Sequence, residues 1–284
     1  MTYVFMTTSS KAPEVMSGLL IEAFDVQLSE TDVSDISELE SRNWDALVTC
    51  EYERLEGDLA WSLTVYAAEE VKQRPSETEL ATLMSQRLDA PVFFASGIGI
   101  PWIQRVAMPE GGSTLARVIE SDEERPRLAV EAAESSITGF PTLPIQHFPE
   151  VVRAVAVPTP VTDAAVPAKP AREHEEIRGL LVNWERLGNR MHSGWPPAGW
   201  YSAEMYKEDL ELRDRLEVRL RALAEGEQKA ISASLSVLDA HYRTLTSNDG
   251  GESLRNALGN EVANTAERRW YWHRCPDPLP WTSE

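Results

Sequence analysis

Only two cysteines, Cys50 and Cys275, occur in the 284 residues. They are too few for a disulfide framework, so the fold must rest on its own core, and a reducing compartment such as the cytoplasm is the expected setting. Long apolar runs are missing too. The stretch around Gly18 to Ala23 falls far short of the ~20 residues a helix needs to cross a bilayer, so no membrane association is expected. The first fifteen residues lack both a basic start and a long apolar stretch, and do not read as a secretory signal. Basic residues are scarce: 27 Lys and Arg face 46 Asp and Glu, for a net charge of −19. Such a chain repels phosphate, which disfavours nucleic acid as a partner.

Glycine and histidine are thin where chemistry would need them. Gly97-Ile98-Gly99 begins like a dinucleotide-binding loop but continues Ile100-Pro101-Trp102, with a proline where the loop should open into a helix. The five histidines are His147, His174, His192, His241 and His273. His174-Glu175-Glu176-Ile177-Arg178 starts like a zinc-protease helix, yet Arg178 stands where the second imidazole must be. His273, near Cys275, lacks the further ligands a zinc site needs. Glu134-Ser135-Ser136 has no flanking glycine and is no nucleophile elbow. Cys50 sits in a strand-like alternation, which marks a structural thiol rather than a nucleophile. The sequence therefore implies no metal, no cofactor and, on balance, no enzyme. If there is catalysis, its residues are expected to be His192, Asp239, His241 and His273, near Trp195.

What is present divides the chain. Residues 1–155 hold 26 acidic against 11 basic residues, whereas residues 172–284 hold 19 against 15. Between them, residues 156–171 carry Pro158, Pro160, Pro167 and Pro170 among Ala, Val and Thr. That composition predicts an extended, semi-rigid linker between an acidic domain and a Trp-rich one.

The first part predicts a strand over Tyr3–Thr8 and an amphipathic helix over Pro13–Phe24 carrying Val15, Leu19 and Leu20. Glu30–Glu40 is acidic, with Val33, Ile36 and Leu39 three apart, and reads as a surface helix or turn. Period-two alternation over Trp44–Cys50 and Leu59–Val65, on either side of Glu56-Gly57-Asp58, predicts an antiparallel hairpin. Ser76-Glu77-Thr78-Glu79 is a capping box opening a helix with Leu80, Leu83, Met84 and Leu88. A short strand at Pro91–Phe94, a second hairpin over Ile103–Met108 and Thr114–Glu120, and a strand at Leu128–Ala132 follow. Helices interleaved with hairpins predict an α+β domain with a largely antiparallel sheet.

From Glu173 onward the spacing is helical. It predicts an all-α domain of about four helices, the last over Ser253–Arg269. One helix is expected to expose three i,i+4 pairs: Asp209 with Arg213, Glu211 with Arg215, and Glu217 with Arg221. Six of the nine tryptophans fall in residues 172–284. Trp and Arg dominate binding hot spots, so Trp195, Trp200, Tyr201, Trp270, Trp272, Arg269 and Arg274 are the expected binding residues. The same side chains would also serve to fill the core of a small helical domain.

The profile is acidic, motif-free and aromatic. It points to a protein that binds another, basic protein, as a bacterial immunity protein holds a toxin effector. An enzyme or small-molecule binder using the Trp-rich domain, and an adaptor subunit of a larger assembly, are the alternatives.

Overall fold

A computed structural model describes residues 1–122, 127–167, 172–259 and 268–282. The chain divides into two compact units, Met1–Phe148 and Pro149–Glu284.

The first unit runs β1 (Thr2–Thr7), α1 (Ala12–Phe24), β2 (Thr31–Asp35), β3 (Val48–Arg54), β4 (Glu56–Gly57), β5 (Trp61–Ala67), α2 (Glu77–Leu88), β6 (Val92–Ala95), β7 (Ile103–Ala107), β8 (Ser113–Glu120) and β9 (Arg127–Ala133). The nine strands form one sheet in the order β2-β3-β5-β1-β6-β7-β8-β9-β4. Pairing is parallel at its two ends, β2 with β3 and β4 with β9, and antiparallel between. The α+β class is therefore as expected, with a mixed sheet.

Alternation along the strands sorts side chains to two faces. Phe5, Cys50, Leu63, Val65 and Phe94 share a core with Leu19, Leu20 and Phe24 of α1 and Leu80 and Met84 of α2. Phe93, one residue from Phe94, belongs to a second cluster with Leu59, Val106, Ala116 and Ile137. The middle of the sheet is thus buried on both sides. The hairpin of β3 and β5 runs in register from Val48 opposite Ala67 to Arg54 opposite Trp61. The capping box forms as expected: the Glu79 amide donates to Ser76 Oγ at 3.3 Å and the Ser76 amide to Glu79 Oε2 at 2.7 Å.

Two expectations for this unit are corrected. Thr31–Asp35, inside the segment read as a helix or turn, is strand β2, paired in parallel with β3 from Thr31 opposite Val48 to Asp35 opposite Tyr52. An edge strand gains its stability from one backbone ladder, so it can be polar and show no hydrophobic period. Strand β3 also begins at Val48, which leaves Trp44 in the preceding loop.

The second unit comprises α3 (Pro149–Ala154), α4 (Pro160–Ala165), α5 (Arg172–His192), α6 (Ala203–Leu220), α7 (Glu225–Leu245), β10 (Thr246–Asn248), α8 (Glu252–Leu258) and β11 (Arg274–Pro276). Among the described residues this is six helices and an antiparallel pair, β10 with β11, rather than four helices alone. The expected last helix covers Glu252–Leu258, and residues 260–267 of it lie outside the described residues. Leu181, Trp184 and Leu187 of α5, Tyr206, Leu210 and Leu216 of α6, and Leu235, Leu238 and Tyr242 of α7 form one core. A Cβ at Gly188 would lie 3.1 Å from the His241 ring, so glycine there permits the close approach of α5 and α7. No helix among the described residues is long and apolar enough to cross a membrane.

The segment expected as an extended linker is instead packed along α5. Helix α4 buries Thr162 and sets Val161 and Ala165 against the core. Side chains of α5 hold it in sequence. Arg190 donates to the carbonyl of Val152 in α3, just ahead of the segment, at 2.7 Å; within it, Asn189 donates to that of Pro158 at 2.9 Å and Arg178 to that of Val166 at 2.6 Å. The Glu185 carboxylate, 3% exposed, accepts the amides of Val161 (2.8 Å) and Thr162 (2.7 Å), the first free N–H groups of α4. Prolines set φ for the start of such a helix as well as for an extended spacer, and composition cannot tell the two apart.

Glu185→Ala should therefore leave two amides unpaired, that of Thr162 buried and that of Val161 part-buried, and destabilise the second unit by about 1–3 kcal/mol in denaturant unfolding of the full chain. Amide exchange at Val161 and Thr162 should accelerate with it. Unchanged exchange at both amides would contradict this role.

Candidate functional site

The four residues expected for catalysis do not converge. Asp239 points inward, where its Oδ1 accepts the Trp184 indole N–H at 2.9 Å and its Oδ2 lies 3.0 Å from Arg213 Nη2. Arg213 is 2% exposed, with its guanidinium 5.5 Å from the Trp184 ring centre and 4.9 Å from that of Tyr271. His241, two residues beyond Asp239 on α7, faces a different way and meets His192 at 5.7 Å between ring centres. Burial, and secondly the His192 ring, hold the His241 pKa below its ordinary value. His273 lies in the C-terminal segment, where its carbonyl accepts the amides of Asp249 and Gly250. Cys50 is fully buried and burial pushes its pKa up to about 12, which removes the thiolate a nucleophile needs.

The aromatic set is mostly consumed by packing. Trp272 has no exposed surface; its indole N–H donates to Asp214 Oδ2 at 3.0 Å, and Tyr271 Oη donates to Asp214 Oδ1. Arg268 lies over the Trp272 ring at 4.0 Å, and Arg243 lies over Trp270 at 3.7 Å. Arg269 pairs with Glu217, and Arg274 donates to Thr246 Oγ1 at 2.9 Å. Trp195 is buried against Tyr201, ring centres 4.9 Å apart. Of the expected binding residues, Trp200 and Tyr201 line cavities. Trp200 and Trp281 border a cleft of 560 Å³ with Ser202, Glu204, Ser253 and Asn256. The three expected surface pairs are corrected in the same way. Only Glu217 with Arg221 forms, at 3.9 Å, because Arg213 is drawn into the core and Arg215 reaches Glu176.

Tyr201 borders a second, smaller cavity of 160 Å³, in the second unit, with Arg153, Asn183, Arg186, Arg190, Glu208 and Asp209. Tyr201 Oη donates to Asp209 Oδ2 at 2.6 Å, and Asn183 Nδ2 lies 3.4 Å from Oδ1. Asp209 keeps a strip of exposure at this cavity, yet burial pushes its pKa up from 3.8 to about 7 against the opposing pull of Tyr201, Arg153 and Arg190. A carboxyl that shares a proton near neutrality, in a cleft with guanidinium groups, is the most chemically poised group of this unit.

The first unit carries a different feature. Leu28, Ile36, Leu39 and Trp44 are exposed, Trp44 to 72%, and all belong to the segment around edge strand β2. Between Leu28 and Leu47 the chain holds six carboxylates (Glu30, Asp32, Asp35, Glu38, Glu40 and Asp45) against one cation, Arg42. Arg42 is spent internally: it pairs with Glu51 and donates to the carbonyls of Glu38, Asp35 and Ile36 at 2.7, 3.1 and 3.2 Å. Its guanidinium lies 5.6 Å from the Trp44 ring centre. Asn43 ties the loop to β2 through its amide, 2.9 Å from Asp32 Oδ1. The loop that presents Trp44 is therefore held by its own hydrogen bonds. The sequence reading missed this surface by placing Trp44 in a strand and by reading Ile36 and Leu39 as the thin apolar stripe of a surface helix or turn. The available signal was three apolar residues and a tryptophan set among carboxylates with a single base.

No protein family, no curated protein and no solved structure matches the chain.

Two outcomes follow from the second unit. Asp214→Ala should take from Tyr271 and Trp272 of the C-terminal segment the acceptor they share and destabilise the unit by about 2–4 kcal/mol, with loss of the Trp272 near-UV signal. The folded pKa of Asp209 exceeds the unfolded one, so the folded chain holds a proton that the unfolded chain has released between about pH 4 and pH 7. Its contribution to stability is thus fullest below that window and is lost as pH rises through it. Asp209→Asn should flatten this part of the pH–stability profile; an unchanged slope would show that the group does not titrate there.

Proposed function

We propose that this chain is a non-enzymatic binding protein, immunity-protein-like in profile, that holds a basic protein partner such as a toxin effector on the surface around β2. The observation that carries the reading is the exposed set Leu28, Ile36, Leu39 and Trp44 in a segment that holds six carboxylates and one cation, already paired. Large apolar side chains grouped at a surface are costly to leave in water and mark interaction sites. A tryptophan held by its own loop loses little freedom when covered, which suits a binding anchor. Carboxylates around it raise the encounter rate with a cationic surface and reject acidic ones. The edge strand adds backbone groups that a partner strand or loop can pair. The net charge of −19 extends the same steering over the whole molecule.

The full chain, used as bait in lysate of its native cell, is compared with a Leu28→Ser, Ile36→Ser, Leu39→Ser, Trp44→Ser variant. The expected result is a stoichiometric partner of basic charge, retained by the parent chain, lost from the variant and weakened about tenfold or more by raising salt from 0.05 to 0.5 M. Absence of a stoichiometric partner, or equal capture by the variant, overturns the reading. An adaptor role predicts capture that survives the substitutions because it uses other surfaces.

A further inference from the structure

The cavity of 160 Å³ in the second unit has a local charge opposite to that of the chain around it. Arg153 comes from α3, Arg186 and Arg190 from α5, and all three line it. Facing them are Glu208 and Asp209 of α6, with the Tyr201 hydroxyl and Asn183 carboxamide between. Glu208 is taken by Arg153. Arg190 is 5% exposed and turns two of its N–H groups to the carbonyls of Val152 and Val155. These fix its plane, and the acid that acts on its charge is Asp209. Arg186 has no hydrogen-bond or ion-pair partner among the described residues, and it is exposed at the rim. In a chain of net charge −19, this is a concave site with guanidinium charge in excess.

We infer that this cavity binds a small oxyanion, the tetrahedral group of a phosphate ester or a carboxylate, with Arg186 as its direct ligand and Arg190 and Arg153 as supporting charge. A planar guanidinium donates two parallel N–H groups to such an anion. Asn183 offers a neutral donor on the same wall. The volume admits a group of a few heavy atoms, not an extended cofactor. Asp209 sets when the site is open to an anion. With its proton, the carboxyl is neutral and carries a donor; without it, a second negative charge faces the ligand. Glu208, Arg153, Arg186, Arg190 and Tyr201 are the other charged or titratable groups lining the cavity, and burial dominates the shift that places the Asp209 proton near neutrality. Anion affinity therefore rises as pH falls through about 7.

Sulfate and acetate, neither of which titrates between pH 6 and pH 8, are titrated separately into the full chain by calorimetry, at both pH values. Saturable binding of sulfate assigns a phosphate-like ligand, and of acetate a carboxylate. In either case Arg186→Ala should weaken binding about tenfold or more, corresponding to loss of a charge-assisted contact. Affinity should be greater at pH 6 than at pH 8 in the parent chain, and the difference should vanish in Asp209→Asn. Failure of both anions to saturate below about 10 mM, equal affinity in Arg186→Ala, or a pH effect that survives in Asp209→Asn would each overturn the inference.

Discussion

A guanidinium removed from water must be balanced, and the second unit is organised around one that is. Arg213 has almost no exposed surface, sits between the Trp184 and Tyr271 rings, and bonds Asp239 on α7 and Glu217 on its own helix. Removing one member of such a buried set costs about 3–5 kcal/mol, because the remaining charge cannot be resolvated. Each partner is tied onward. Asp239 also holds the Trp184 indole, and Glu217 also takes Arg269 of the C-terminal segment. Beside them, Asp214 takes Tyr271 and Trp272. The network thus fixes α5, α6, α7 and the C-terminal segment to one another. It accounts for Trp184, Tyr271 and Trp272 without invoking a ligand.

That use of the aromatics redirects attention within the molecule. Side chains already bonded and buried have little left to offer a partner. In the second unit, Arg186 at its cavity has no bonded partner among the described residues. In the first unit, attention falls on the loop after β2. There, charge serves two ends. Carboxylates along an edge strand discourage indiscriminate pairing with other sheets, and they also favour a cationic surface over others. An unprotected apolar edge would aggregate; one rimmed by like charges can stay exposed and still be selective.

Much of the first unit was legible because its signals are local. The Ser76–Glu79 box, the alternation flanking Gly57 and the run before Phe94 each specify structure from neighbouring residues. Strand β2 was not, because a parallel edge pairing with β3 depends on a backbone partner some seventeen positions on, across a loop, and asks little of its side chains. The docking of residues 156–167 was hidden for a related reason. Its determinants are Glu185, Asn189 and Arg178, all on another element, and each reads in isolation as an ordinary surface residue of a helix. Arg213 and Asp209 misled by spacing: acid and base four apart imply a solvent-exposed pair only when that face is outside. The Asp209 cavity escaped notice because its lining comes from three separated stretches of chain and no spacing rule connects Arg153, Arg186 and Asp209.

The central claim concerns the segment from Leu28 to Leu47, and amide hydrogen exchange reads it directly. The full chain is measured alone and with its stoichiometric basic partner. The account predicts slowed exchange concentrated in β2 and the loop through Trp44, with the second unit unchanged. Protection confined to the second unit, or none around β2, would contradict it.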